Sequence, residues 1–321
     1  MTMPKPMLGI SSCLLGNSVR FDSGHKHNAY ITETLGQYFD FTPFCPEVAA
    51  GLGIPRPAIH LVKQAQGIRL LHVKNHAIDV TEAVQAASDK LLAAPELANL
   101  SGFILKKDSP SCGMERVKVF EEPATSQPPE RLGMGLFAAE LQKLYPQLPL
   151  EEEGRLCDPV IRENFIGRVF VYQRWQELLK TAVTANALVE FHADHKYLIM
   201  AHDQSGLKEL GQLVAQAGKT NLTELLPIYI QKLMQILAKK ASRGQQGNVL
   251  SHLLGYLPDT LPRDDREELV EMIKQYQQGY LPLIVPITLL KHHFRKHPHA
   301  YIGRQYYLKP HPSELMLLNS I

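Results

Sequence analysis

A chain of 321 residues and 36.1 kDa has room for about two domains. With 45% hydrophobic and 21% charged residues it is excluded from the disordered and fibrous classes. No apolar run approaches the ~18 residues of a membrane span, and residues 1–7 lack a signal-peptide core, so the expected compartment is the cytoplasm. The net charge of +2 hides an asymmetry: residues 1–154 carry 14 Lys and Arg against 17 Asp and Glu, whereas residues 155–321 carry 20 against 15 and hold 9 of the 14 histidines. A basic half beside an acidic one points to a polyanionic partner.

Short apolar runs at 7–12, 39–44, 68–73 and 102–105 read as strands, and the 3.6-residue period at 28–37 and 79–92 predicts helices between them. This alternation predicts an α/β, Rossmann-like N-terminal domain with a mostly parallel sheet. Residues 121–130, rich in proline and polar side chains, read as an exposed loop. Residues 135–145 read as a helix that Pro146 stops. The segment 148–154, with Pro149 and three glutamates, marks the boundary between domains 1–150 and 151–321. Beyond it the segments 162–184, 187–203, 206–217, 222–240, 244–254 and 262–278 all carry helical period, so the C-terminal domain is expected to be all-α.

Three of the four cysteines share a setting. Cys13, Cys45 and Cys112 each follow a predicted strand and stand beside small or turn-forming residues. In an open parallel sheet the carboxyl ends of the strands face one crevice, which is where such folds bind ligands, so the thiols are expected to converge. Without a secretion signal a disulfide framework is not expected. Convergent thiols suit zinc or an iron–sulfur cluster, but the chain lacks the close CxxC pairs usual for structural zinc, and buried unliganded cysteine is the plain alternative. Cys157, at a helix entry beyond the boundary, reads as a half-buried thiol.

The runs Ser12-Cys13-Leu14-Leu15-Gly16, Val19-Arg20-Phe21-Asp22-Ser23-Gly24-His25-Lys26, Cys45-Pro46-Glu47, Gly51-Leu52-Gly53-Ile54-Pro55-Arg56-Pro57 and Ser109-Pro110-Ser111-Cys112-Gly113 resemble the TudS-type thiouracil desulfidase domain over most of residues 7–120. The second half, through Asn164-Phe165-Ile166-Gly167-Arg168-Val169-Phe170, Phe191-His192-Ala193-Asp194-His195-Lys196-Tyr197 and the run from Pro282 to Leu290, resembles the YbgA-type domain. The two together resemble the RudS-type fusions, which remove sulfur from 4-thiouridine in transfer RNA.

The resemblance implies a [4Fe–4S] cluster held by Cys13, Cys45 and Cys112, whose open iron takes the thiocarbonyl sulfur. It implies a catalytic role for Glu47 and for Ser109 or Ser111, with Ser109 the favoured serine. Glu47 would act as general base toward water; in the plain reading it is an acid complementing the dipole of a short helix after Pro46. Arg20, Asp22, His25, Lys26 and Arg56 share these loops and are candidate substrate ligands or solvated loop charges.

In the second half the stretch 291–309 interleaves Lys291, Arg295, Lys296, Arg304 and Lys309 with Phe294, Tyr301, Tyr306 and Tyr307, a composition suited to RNA. His192 and His195 share a helix face, which fits a hydrogen-bond network or an RNA-facing surface better than a metal site. The lone Trp175 reads as core. The expected function is a cluster-dependent desulfidase acting on 4-thiouridine in tRNA. The alternatives are a desulfidase of free 2-thiouracil or thionucleosides, and a non-catalytic iron–sulfur regulator that binds nucleic acid.

Overall fold

The computed structural model describes residues 4–121, 128–315 and 317–319, and it divides into two units, 1–157 and 158–321. In the first unit the apolar runs become strands: β1 (Met7–Ser11), β2 (Asp40–Phe44), β3 (Ile59–Gln64), β4 (Gly67–His72), β5 (Asn75–Asp79), β6 (Gly102–Leu105), β7 (Val117–Glu121), β8 (Glu130–Gly133) and β9 (Leu150–Glu152). Four form a wholly parallel sheet in the order β2-β1-β6-β9. Its inner strands carry no polar face: Leu8, Ile10, Phe103 and Ile104 are completely buried, as expected of a sheet covered on both sides.

A second sheet, β5-β4-β3-β7-β8, is mostly antiparallel, with only β3 and β7 parallel. The run expected at 68–73 belongs here, paired antiparallel to β3 around the Gln64–Gly67 turn. Pattern alone gives strand existence but not partner, because register depends on residues distant in sequence. Helix α1 (Pro46–Ala49) follows β2 directly, and α2 (Thr81–Leu92) and α3 (Leu136–Leu144) complete the unit. The helix expected at 28–37 is a π turn over Tyr30–Thr34 running into a 3-10 turn over Leu35–Gln37. Most of the loop expected at 121–130 lies outside the described residues.

The second unit is all helix: α4 (Pro159–Leu179), α5 (Ala185–His202), α6 (Gln204–Val214), α7 (Leu222–Ala238), α8 (Arg243–Leu254), α9 (Arg263–Gln278), α10 (Ile284–Lys296) and α11 (Ala300–Gly303). The starts are set by caps. Asp158 accepts from the N–H groups of Val160 and Ile161 ahead of Pro159, Asp203 accepts from Gly206, and Ser242 and Gln245 form a reciprocal capping box. One core gathers Trp175, Leu188, Tyr229 and Leu233, and a second gathers Tyr197, Leu250, Leu269 and Leu290. The first part of the basic, aromatic stretch at 291–309 is the end of α10, which buries Leu290 and His293. No helix among the described residues is long and apolar enough to cross a membrane.

Candidate functional site

The parallel sheet of the first unit delivers its four strand ends to one edge, and a cavity of about 640 Å³ opens there. Cys13 comes just after β1, Cys45 after β2, Lys106 after β6 and Glu153 after β9, and all four line it. Cys112, Ser109, Glu47, Arg56, Arg20 and Lys26 complete the wall.

Local chain chemistry places each of them. Past β1 a 3-10 turn over Ser12–Leu15 is stopped by Gly16, whose φ of 93° lies in the left-handed region open to glycine. The chain returns so that the Lys26 N–H donates to the Cys13 carbonyl at 2.9 Å. Cys45 is extended and Pro46 opens α1 behind it, which puts Glu47 in the first helical turn. The Ser109 hydroxyl accepts from the N–H groups of Ser111 (3.3 Å) and Cys112 (3.1 Å) and so folds the third loop. Gly135 packs against that loop: a Cβ there would lie 2.4 Å from the Ser111 carbonyl carbon.

Glu47 is clamped from two sides. Its Oε2 accepts from Arg56 Nε at 3.0 Å and Nη2 at 2.5 Å, and its Oε1 accepts from the Ser111 hydroxyl at 2.9 Å. Arg56 is itself fixed, donating to the carbonyls of Gly53 and Val19, both at 2.9 Å. This two-donor fork locks the carboxylate in one orientation. Ser111 is fully buried and acts on Glu47, whereas Ser109 faces the cavity and is engaged with its own turn.

Of the other expected ligands, Arg20, Lys26 and Arg56 line the cavity, and Asp22 and His25 stay on the exposed loop outside it. Asp22 accepts from the Gly24 N–H at 3.0 Å, which lowers its pKa, and His25 Nδ1 accepts from the His27 N–H at 3.2 Å.

The expected [4Fe–4S] centre is corrected. Cys13, Cys45 and Cys112 line the same cavity, but among the described residues no three or more His, Cys, Asp or Glu side chains are grouped to hold a metal ion. Burial is the leading cause that raises all three thiol pKa values, and the Cys112 thiol is engaged with the Ser11 hydroxyl. The donor set does not fit the group, and the zinc alternative fails with it. Cys157 is exposed.

Sequence reasoning missed Lys106 and Glu153. The run Glu151–Glu153 reads as an acidic linker, yet all three are buried. Glu151 takes Arg155, Glu152 takes the N–H groups of Met114 and Glu115, and Glu153 takes the ammonium of Lys106 and the N–H of Lys107. The available signal was Leu148 and Leu150 beside them, apolar positions that a solvated linker does not need.

In the second unit, His192 Nδ1 meets the Tyr229 hydroxyl at 3.1 Å and His195 Nδ1 meets the Phe191 carbonyl at 2.7 Å. Burial holds their pKa values down, to about 4 and about 3. They are neutral packing groups.

A cavity at the strand ends of a parallel sheet, lined by a fixed carboxylate and three thiols, is the setting of an α/β enzyme domain. Residues 8–153 match the family model described as 2-thiouracil desulfurase, and residues 196–312 match the protein of unknown function DUF1722. The chain is 31% identical over 112 residues to the uncharacterized protein YbbK of Bacillus subtilis (strain 168), covering 33% of this chain and 73% of that one. It is 29% identical over 159 residues to the uncharacterized protein YbgA of Escherichia coli (strain K12), covering 49% of this chain and 94% of the other. A solved structure, the [4Fe-4S]-dependent thiouracil desulfidase TudS, aligns with a TM-score of 0.38 at 26% identity, covering 48% of this chain and 95% of its own. The protein therefore joins two domains, and belongs to the 2-thiouracil desulfurase family through the first, while the second is YbgA-like.

Proposed function

We propose that the first unit is a desulfidase of free thiopyrimidines of the 2-thiouracil class. The reaction replaces a thiocarbonyl by a carbonyl: water adds to the carbon bearing sulfur, that C–S bond breaks, and hydrogen sulfide leaves with no net redox change. The observation that carries the reading is Glu47, a carboxylate held by Arg56 and Ser111 at the wall of a cavity that three thiols also line.

Glu47 is the base that takes a proton from the attacking water, work usually worth ~10²- to 10⁴-fold. Arg56 and Ser111 fix its orientation. The protonated thiols of Cys13, Cys45 and Cys112 present a soft, weakly donating surface suited to a thiocarbonyl sulfur. A cavity of about 640 Å³ accommodates a single pyrimidine ring.

A second reading has 4-thiouridine in tRNA as the substrate. It rests on a groove of about 550 Å³ in the second unit lined by Lys291, His292, Phe294, Arg295 and Lys309, where cations and an aromatic ring suit a ribose-phosphate chain. The test presents the purified chain, thiols kept reduced, with 2-thiouracil and with thiolated bulk tRNA in parallel, and measures sulfide released and thiocarbonyl absorbance lost. Turnover of the free base supports the first reading. Turnover confined to RNA, with steep salt dependence, replaces it with the second, and turnover of neither rejects both.

A further inference from the structure

The cavity holds a second ion pair that the proposed chemistry leaves unused. Lys106 and Glu153 both line it, and their side chains are only 12% and 8% exposed. The Lys106 ammonium donates to Glu153 Oε1 and, at 3.1 Å, to the Lys107 carbonyl. Glu153 Oε2 accepts from the Lys107 N–H at 2.7 Å, and the Lys106 N–H donates to the Ser11 hydroxyl at 3.0 Å. Both line the cavity with Cys13 and lie within electrostatic reach of its thiol, Lys106 lowering and Glu153 raising its pKa.

The sheet does not need this pair. β6 and β9 are already joined by a parallel ladder from Phe103 opposite Leu150 to Leu105 opposite Glu152. A buried ion pair contributes little net stability, and apolar residues of the same volume would often serve as well. The pair does have spare hydrogen-bonding capacity: an ammonium has three donors and a carboxylate about four acceptor sites, and two of each are used within the protein.

We infer that Lys106 and Glu153 form the subsite that reads the N–H/C=O edge of the pyrimidine ring, Glu153 accepting from the ring N3–H and Lys106 donating to the adjacent carbonyl oxygen. The inference rests on the thiopyrimidine reading above. An ammonium beside a carboxylate presents one donor and one acceptor on neighbouring atoms, the complement of that edge. The pair thereby selects rings with an unsubstituted N3 and leaves the thiocarbonyl to the thiols and Glu47. Lys106 and Glu153 are specificity residues in this scheme and take no part in proton transfer to water.

The test uses the full chain and its Lys106→Met, Glu153→Gln and double Lys106→Met/Glu153→Met variants; the double variant removes both charges together and leaves neither stranded. Turnover is measured on 2-thiouracil and on its N3-methyl derivative, and binding of the product uracil by calorimetry. The expected result is a rise in KM for 2-thiouracil of about tenfold to a hundredfold in each variant, with kcat within about threefold. The parent's preference for 2-thiouracil over the N3-methyl ring should collapse toward unity in the double Lys106→Met/Glu153→Met variant, which leaves no acceptor for N3–H and which a merely structural pair would not cause. A parent that turns over both rings alike, or variants that keep the parent's preference, overturn the subsite while leaving the desulfidase reading intact. If the parent turns over neither ring, the desulfidase reading fails, and uracil binding decides the subsite: weakened in the double Lys106→Met/Glu153→Met variant it stands, unaltered there or absent in the parent it falls.

Discussion

The two units bury charge in opposite ways. At its cavity the first buries it in matched pairs, Glu47 with Arg56 and Glu153 with Lys106. The second buries Arg174 with no carboxylate beside it among the described residues: one Nη2 donates to the Pro310 carbonyl, the guanidinium stacks 3.8 Å over Tyr306, and Nε and Nη1 meet no partner. Burial lowers the Arg174 pKa to about 10, and the neighbouring His195 is held neutral. Carboxylate–cation pairs at a cavity suit polar chemistry, whereas neutral imidazoles and a stacked guanidinium suit helix packing.

The sharpest break in that contrast is Glu47→Gln, which keeps the volume and the hydrogen bond of Ser111 but removes the base. Turnover of 2-thiouracil should fall by about 10²- to 10⁴-fold, and because Arg56 loses its carboxylate the variant should also unfold more easily; a fully active variant removes Glu47 from the mechanism.

Next come the two buried arginines. Arg56→Met strands the Glu47 carboxylate and should cost about 3–5 kcal/mol in denaturant unfolding. Arg174→Met leaves only a carbonyl unpaired, at about 1–3 kcal/mol. Equal losses would dissolve the distinction between the units.

The pH responses should run in opposite directions. His192 and His195 have folded-state pKa values of about 4 and about 3, below the unfolded value near 6.5. The unfolded chain takes up protons first, so the second unit is fully stable above that value and weakens as pH falls toward 3, by up to about 1.4 kcal/mol per pH unit per histidine. The thiols of Cys13, Cys45 and Cys112 are raised, so their contribution is present below the unfolded value near 8.5 and is lost as pH rises past it. Hydrogen exchange resolved by unit, at pH 5 and pH 9.5, would reveal a single shared profile if this is wrong.

The smallest effect separates the serines. Ser111→Ala removes a hydrogen bond to a carboxylate, about 1.5–3 kcal/mol, and should reduce turnover through misorientation of Glu47. Ser109→Ala loosens a turn by about 0.5–1.5 kcal/mol and should affect turnover less. The reverse order would return the catalytic role to Ser109.

Much of this architecture was legible in the sequence, and the failures have identifiable causes. Helix α4 is readable from the helical period of 162–184, but its true start at Pro159 depends on the Asp158 cap. α10 was overlooked because Lys291, Arg295 and Lys296 dominate the composition of its last turns while Leu290 and His293 pack inward. The sequence favours Ser109 from its place in the turn, and the contact that brings Ser111 to Glu47 spans 64 residues and has no local signal. The Arg20 to Lys26 loop was legible as a charged loop, yet only the fold separates Arg20 and Lys26 at the cavity from Asp22 and His25 in solvent.

By itself the sequence determined the α/β then all-α order, the strand-end setting of Cys13, Cys45 and Cys112, and the candidacy of Glu47, because apolar periodicity and turn formers act over a few residues. Only the tertiary structure decided the second sheet, the burial of Glu151–Glu153, the Lys106–Glu153 pair and the upward shift of the thiol pKa values by burial. These depend on desolvation and on partners brought from far along the chain, and neither quantity is defined until the chain has folded.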